Sequence, residues 1–153
     1  QAWLQLAAAR QALGDNAGAI AACDAILAIE PKNAAAFQSR GFAKKQKGEI
    51  DAAIADYDRA IQLKPAYPEA LNNRGRAKYA KDDFDGAIAD YSEAIRLKPD
   101  HVEAIGNRGR AKERKGDLAG ALEDYDLALK LAPADWPHRA LLEKLRAEAL
   151  QKR

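Results

Sequence analysis

The chain has 153 residues, 48% apolar and 31% charged, which fits one ordinary domain or a short repeat array and excludes a disordered or membrane-spanning composition. Its formal net charge of +2 is too small to argue for nucleic acid by itself. Alanine dominates, and runs rich in Val, Ile and Thr are missing, which favours helices over strands.

A spacing of 34 residues organises the chain. Pro31, Pro65, Pro99 and Pro133 keep it, as do Ala19, Ala53, Ala87 and Ala121. So do Ala7, Gly41, Gly75 and Gly109, and so do Cys23, Tyr57, Tyr91 and Tyr125. Each unit reads as helix, short turn, helix, with proline ending the second helix.

The first unit, residues 1–33, is slightly shortened, because Gln1 falls one residue into the repeat. With that start and no methionine, the sequence reads as a piece of a longer protein, and the lack of a signal segment does not bear on the parent. Cys23 is the only cysteine and sits in an apolar helical pattern, so it is expected to be a small buried hydrophobe. The second unit spans residues 34–67. In the third, residues 68–101, Pro68 suits a first helical turn. A helix over 69–81 follows, then a turn at Asp82–Asp83 and a second helix over 85–98. The turn carries Gly14, Gly48 and Gly116 in the other units, where a helix end needs a left-handed residue, and Asp82 is a tolerable substitute. The fourth unit is residues 102–135. Residues 136–153 do not complete a fifth and are expected to form a capping helix. Asp135 is placed to cap its start, and Trp136, Leu141, Leu142, Leu145 and Leu150 to form one apolar stripe.

These columns resemble the tetratricopeptide repeat, of the bacterial type. The family has a bulky residue early in the first helix (here Trp3, Phe37, Leu71 and Ile105) and a small one four positions on. Its second helix carries small, aromatic, small, as in Ala53, Tyr57 and Ala60, or Ala87, Tyr91 and Ala94. The resemblance covers nearly the whole chain and is weakest in the first unit. It implies an all-α fold: a right-handed superhelical solenoid of antiparallel helix pairs, with a concave face lined by the first helices. It implies a scaffold for protein–protein interaction, not an enzyme.

At about 100° per residue, Leu71, Arg74, Gly75 and Lys78 share the face turned to the second helix of their own unit. Arg40, Arg74 and Arg108 therefore occupy a packing column, where unpaired charge is costly. Asp56, Asp90 and Asp124 recur just before the tyrosines, so a ladder of Arg40–Asp56, Arg74–Asp90 and Arg108–Asp124 pairs is expected. The resemblance places a different face in the groove: Gln38, Ser39, Phe42 and Lys45 in the second unit, Asn72, Asn73, Arg76 and Tyr79 in the third, and Asn107, Arg110 and Arg114 in the fourth. Asn73 and Asn107 share a column that some superhelical relatives use as an asparagine ladder, and an amide matches the alternating groups of an extended backbone. First helices are net basic and second helices net acidic, so the expected partner is an extended, acidic protein segment.

Relatives that clamp the acidic tails of chaperones place Lys, Asn, Asn, Lys and Arg where this chain has Gln38, Phe42, Asn73, Glu103 and Asn107. Only Asn73 matches, so that clamp is not expected. His101 and His138 have no partners at metal-ligand spacing, and no GxSxG, HExxH or phosphate-loop pattern occurs. No metal, cofactor or catalytic residue is therefore expected. Two alternatives stay open: the binding part of a larger enzyme or secretion component, and an RNA-reading helical repeat. Nucleic acid is disfavoured by the low net charge and the few groove aromatics. Self-association is possible, no membrane span is expected, and the compartment is expected to be cytoplasmic or periplasmic.

Overall fold

A computed structural model describes all residues, 1–153, and contains nine helices and no strand. They are α1 (Ala2–Ala12), α2 (Asn16–Ile29), α3 (Ala34–Gln46), α4 (Ile50–Leu63), α5 (Pro68–Ala80), α6 (Phe84–Leu97), α7 (Val102–Arg114), α8 (Leu118–Leu131) and α9 (Arg139–Gln151). Each packs on the next in sequence, and α1, α3, α5 and α7 also touch one another in series. The odd helices therefore make an inner layer and the even ones an outer layer, the all-α tetratricopeptide-type superhelix with α9 at its end. No helix is long and apolar enough to cross a membrane.

The tight turns follow from backbone chemistry. Gly14, Gly48 and Gly116 have φ of 75°, 83° and 86°, and Asp82 takes the same left-handed place at 60°. Asp15, Asp83 and Asp117 then cap α2, α6 and α8, accepting from the backbone N–H of Gly18, Gly86 and Gly120. The cap occupies an orphan donor at the start of each outer helix.

Within a pair, tyrosine replaces bulk that glycine gives up. A Cβ added at Gly75 would stand 2.7 Å from Cε1 of Tyr91, so that ring lies flat on bare backbone. In the first pair the exchange runs the other way: Ala7 faces Cys23, and both are fully buried. Burial pushes the Cys23 thiol up to about 11, in keeping with an inert core residue. Tyr57, Tyr91 and Tyr125 are buried as well, and burial holds all three phenols well above their ordinary range.

The ion-pair ladder is present in every full unit. Arg40 Nε donates to Asp56 Oδ2 at 2.9 Å and Nη2 to Oδ1 at 2.7 Å. Arg74 grips Asp90 at 2.8 and 2.6 Å, and Arg108 grips Asp124 at 2.9 and 2.7 Å. Lys44, Lys78 and Lys112 close on the same carboxylates at 2.8, 2.9 and 2.9 Å. Each arginine also reaches back one unit: Arg40 to Asp24 at 2.6 Å, Arg74 to Asp58 at 2.7 Å, Arg108 to Ser92 Oγ at 3.3 Å. The ladder thus joins outer helices of neighbouring units through the arginine between them.

The last helix departs from the sequence reading at its start. It begins at Arg139, His138 precedes it, and Asp135 caps nothing. Pro137 disfavours helical backbone at Trp136, so the helix does not start there. The Arg139 guanidinium instead donates to the carbonyls of Leu129 and Ala132, both at 3.1 Å, tying α9 to the end of α8. The apolar stripe is narrower than expected: Leu142 and Ala149 are buried, whereas Leu141 and Leu150 are 48% and 43% exposed.

Candidate functional site in the concave groove

The inner helices meet along a groove in which three recesses open. The first, of about 310 Å³, lies between α1, α3, α5 and α7 and is lined by Gln38, Phe42, Asn72 and Asn73 together with Gln11, Glu69, His101 and Glu103. The second, about 210 Å³, gathers Lys45, Arg76, Tyr79, Asn107 and Arg110. The third, about 180 Å³, opens where α7 faces α9; Arg76, Asn107 and Arg110 wall it on one side and Trp136, Leu141, Leu142 and Leu145 on the other.

Nine of the eleven groove positions expected from the sequence line one of these recesses. Ser39 does not: its carbonyl accepts from Gln11 Nε2 at 2.7 Å, a stitch between α1 and α3. Arg114 does not either. It pairs with Asp82 at 3.5 Å, and its guanidinium lies over Phe84 and Tyr79, 4.8 and 5.9 Å from the ring centres. Asn72 is 3% exposed and accepts from Asn107 Nδ2 at 3.1 Å. That bond spends part of the Asn107 amide between α5 and α7. Asn73 and Asn107, although one column, open into different recesses.

Charge is distributed unevenly along the groove. Glu69, Glu103 and His101 mark the first recess, and burial holds the His101 imidazole below its ordinary pKa. The second recess holds Lys45, Arg76 and Arg110. Arg76 is paired with Glu103 at 3.2 Å. Glu113 lines none of the three recesses: it accepts from Tyr125 Oη at 2.8 Å and from Lys152 Nζ at 2.6 Å. Arg110 instead lies 5.4 Å from the centre of the Tyr79 ring. Lys45 is held below the usual lysine range by burial and then by the Arg76 charge. The sequence pattern missed Gln11, His101 and the α9 residues as groove lining; Glu69 and Glu103 were legible as one column 34 residues apart.

Family comparison gives the same picture from another side. A model described as TPR repeat matches residues 43–82, and one described as tetratricopeptide repeat matches residues 72–135. The chain belongs to the tetratricopeptide-repeat (TPR) family. No curated protein matches the sequence. Among solved structures, a thermophilic TPR protein of Thermus thermophilus, TTC0263, is similar at a TM-score of 0.80 and 24% identity, over 98% of this chain and 80% of that one. The TPR2B domain of yeast Sti1, solved in complex with pHsp70, gives 0.75 and 25%, over 78% and 98%. The first TPR of Spaghetti (RPAP3), bound to the HSP90 peptide SRMEEVD, gives 0.69 and 27%, over 77% and 93%. In this TPR array the columns repeated in every unit account for the packing, and part of the groove is built from a column that varies between units: Gln11, Lys45 and Tyr79.

Proposed function

We propose that this TPR array is a protein–protein interaction scaffold whose concave face holds an extended, acidic segment of a partner protein. The observation that carries the reading is the convergence of Lys45, Arg76 and Arg110 on one recess, with Glu103 the one carboxylate engaged there. Lys45 is destabilised in its charged form by burial and by Arg76, so an incoming carboxylate meets a field that Glu103 offsets only in part. Asn73 adds an amide able to bond an extended backbone. The TPR domains of RPAP3 and Sti1 are similar in fold and were solved with chaperone peptide or partner, which supports peptide binding on such a face.

The acidic group belongs at the basic recess and not at the other end. Glu69 and Glu103 repel it from the first recess, and Glu103 stands where a chaperone-tail clamp has a cation. A polyglutamate-containing peptide and a single-stranded RNA, each labelled and titrated over a salt series, test the reading. The peptide should bind and weaken about 3- to 10-fold in Lys45→Ala and in Arg110→Ala. Tighter RNA binding with a steep salt slope, or peptide binding indifferent to both substitutions, refutes it.

A further inference from the structure

The structure assigns α9 a second role: it forms one wall of the ligand site, and the partner segment bound there carries an apolar side chain within two positions of an acidic one. This rests on the acidic-segment reading above and narrows it to a pattern. Positions 38, 72 and 106 form one column, occupied by Gln38, Asn72 and Gly106. The missing side chain at Gly106 is filled by Leu142, whose Cδ2 would lie 3.0 Å from a Cβ added there. Leu142 therefore seats α9 against the inner face of α7. Beside that seat Trp136, Leu141 and Leu145 frame the 180 Å³ recess.

A solenoid cap needs a buried face toward the array and a polar face toward water. Leu142 and Ala149 supply the first. Leu141 serves neither purpose, being 48% exposed and directed into the groove recess. The recess is open and apolar on its α9 side only, and its volume of about 180 Å³ leaves room for a single leucine- or phenyl-sized side chain laid against Trp136, Leu141 and Leu145. Its far wall is Arg76, Asn107 and Arg110, which also line the basic recess, with Glu103 beside them paired to Arg76. Two groups placed in the two recesses are separated only by that shared wall. On an extended strand side chains that face the same way are two residues apart, so groups on the two sides of one wall come from such a pair.

Selection from a random peptide display library on the intact chain reads the pattern directly. The expected consensus has Leu, Ile, Met or Phe within two positions of Asp or Glu. For a synthetic peptide of that consensus, replacing the apolar residue by alanine should weaken binding about 10-fold. In Leu141→Ser that 10-fold preference should fall to about 2-fold. Leu141 is a surface position, so this variant folds; Trp136 emission in a Trp3→Phe background, quenched by the consensus peptide, gives a second readout. An acidic consensus with no fixed apolar neighbour, or an apolar preference unmoved by Leu141→Ser, overturns the inference and leaves the scaffold reading intact. A selection that enriches no acidic residue overturns both.

Discussion

The ladder allows a quantitative test of how this array is held together. Asp90 is 4% exposed and accepts from Arg74 at 2.8 and 2.6 Å and from Lys78 at 2.9 Å. Replacing it by asparagine strands two cations at once. Removing one partner of a fully buried pair costs about 3–5 kcal/mol. Here the cations keep 19% and 23% of their side-chain exposure, and Arg74 retains Asp58 at 2.7 Å, so water and Asp58 recover part of the loss. The expected cost of Asp90→Asn is about 2–3 kcal/mol, a fall in Tm of about 4–10 °C for a chain of this length. Asp58→Asn is the internal control: its side chain is 56% exposed, and it should cost about 1 kcal/mol or less. Urea unfolding followed by far-ultraviolet circular dichroism measures both. A cycle of Arg74→Leu with Asp90→Ala should show that the double variant loses less than the sum of the singles by about 1.5 kcal/mol or more. If Asp90→Asn costs no more than Asp58→Asn, or if the cycle is additive, the ladder does not stabilise the array and the packing-face arginines need another explanation.

Three further outcomes follow from single positions. The Tyr57 hydroxyl is buried with no hydrogen-bond partner, whereas Tyr125 donates to Glu113; Tyr57→Phe should be neutral or stabilising by about 1 kcal/mol and Tyr125→Phe destabilising by about 1 kcal/mol, and equal effects in the same unfolding assay would contradict this. Ser92 holds the place of Asp24 and Asp58 in the outer ladder but meets Arg108 only at 3.3 Å; Ser92→Asp should raise stability by about 0.3–1 kcal/mol, and a loss would show that the position cannot take the charge. Lys45 has a folded pKa below its unfolded one, so its charge opposes folding at neutral pH and the penalty fades as pH rises through the folded value toward the ordinary one near about 10.4. Lys45→Met should therefore stabilise at pH 7 and lose that advantage near pH 10.5, and bound acidic peptide should raise the Lys45 pKa measured by NMR; a stability difference constant with pH would refute the assignment.

The ladder also shows why so much of this fold can be read from residue letters. A guanidinium in a packing column requires a carboxylate, and an acidic column that repeats in step lies 16 residues on, at Asp56, Asp90 and Asp124. Stacking requires small residues at fixed spacing, so Ala53, Ala87 and Ala121 mark the pitch without any coordinates. Other contacts depend on distances that no column states. Asn107 bonds Asn72 because α5 and α7 approach closely, a consequence of the superhelical curve, so two residues that look like free groove amides are partly committed to each other. That Lys44, Lys78 and Lys112 add a third member to each pair depends on side-chain reach down one turn of helix. No column states where α9 lies, because residues 136–153 have no counterpart in the other units.

The candidate site is harder to read for a reason inherent in repeats. A residue present in every unit serves a contact that every unit makes, and a ligand lying in one register along the groove touches each unit differently. Recognition must therefore be carried by departures from the pattern. The column Gln11, Lys45, Tyr79, Glu113 runs from neutral to cationic to aromatic to anionic, and only Lys45 and Tyr79 from it enter the basic recess. Gly106 breaks the column of Gln38 and Asn72, and that break lets Leu142 bring α9 to the groove. Transferring Lys45, Arg76, Arg110 and Leu141 into an otherwise uniform array of these units should carry the peptide preference with them, while exchanging any of the repeated Ala, Gly or Tyr columns should change stability and leave that preference where it was.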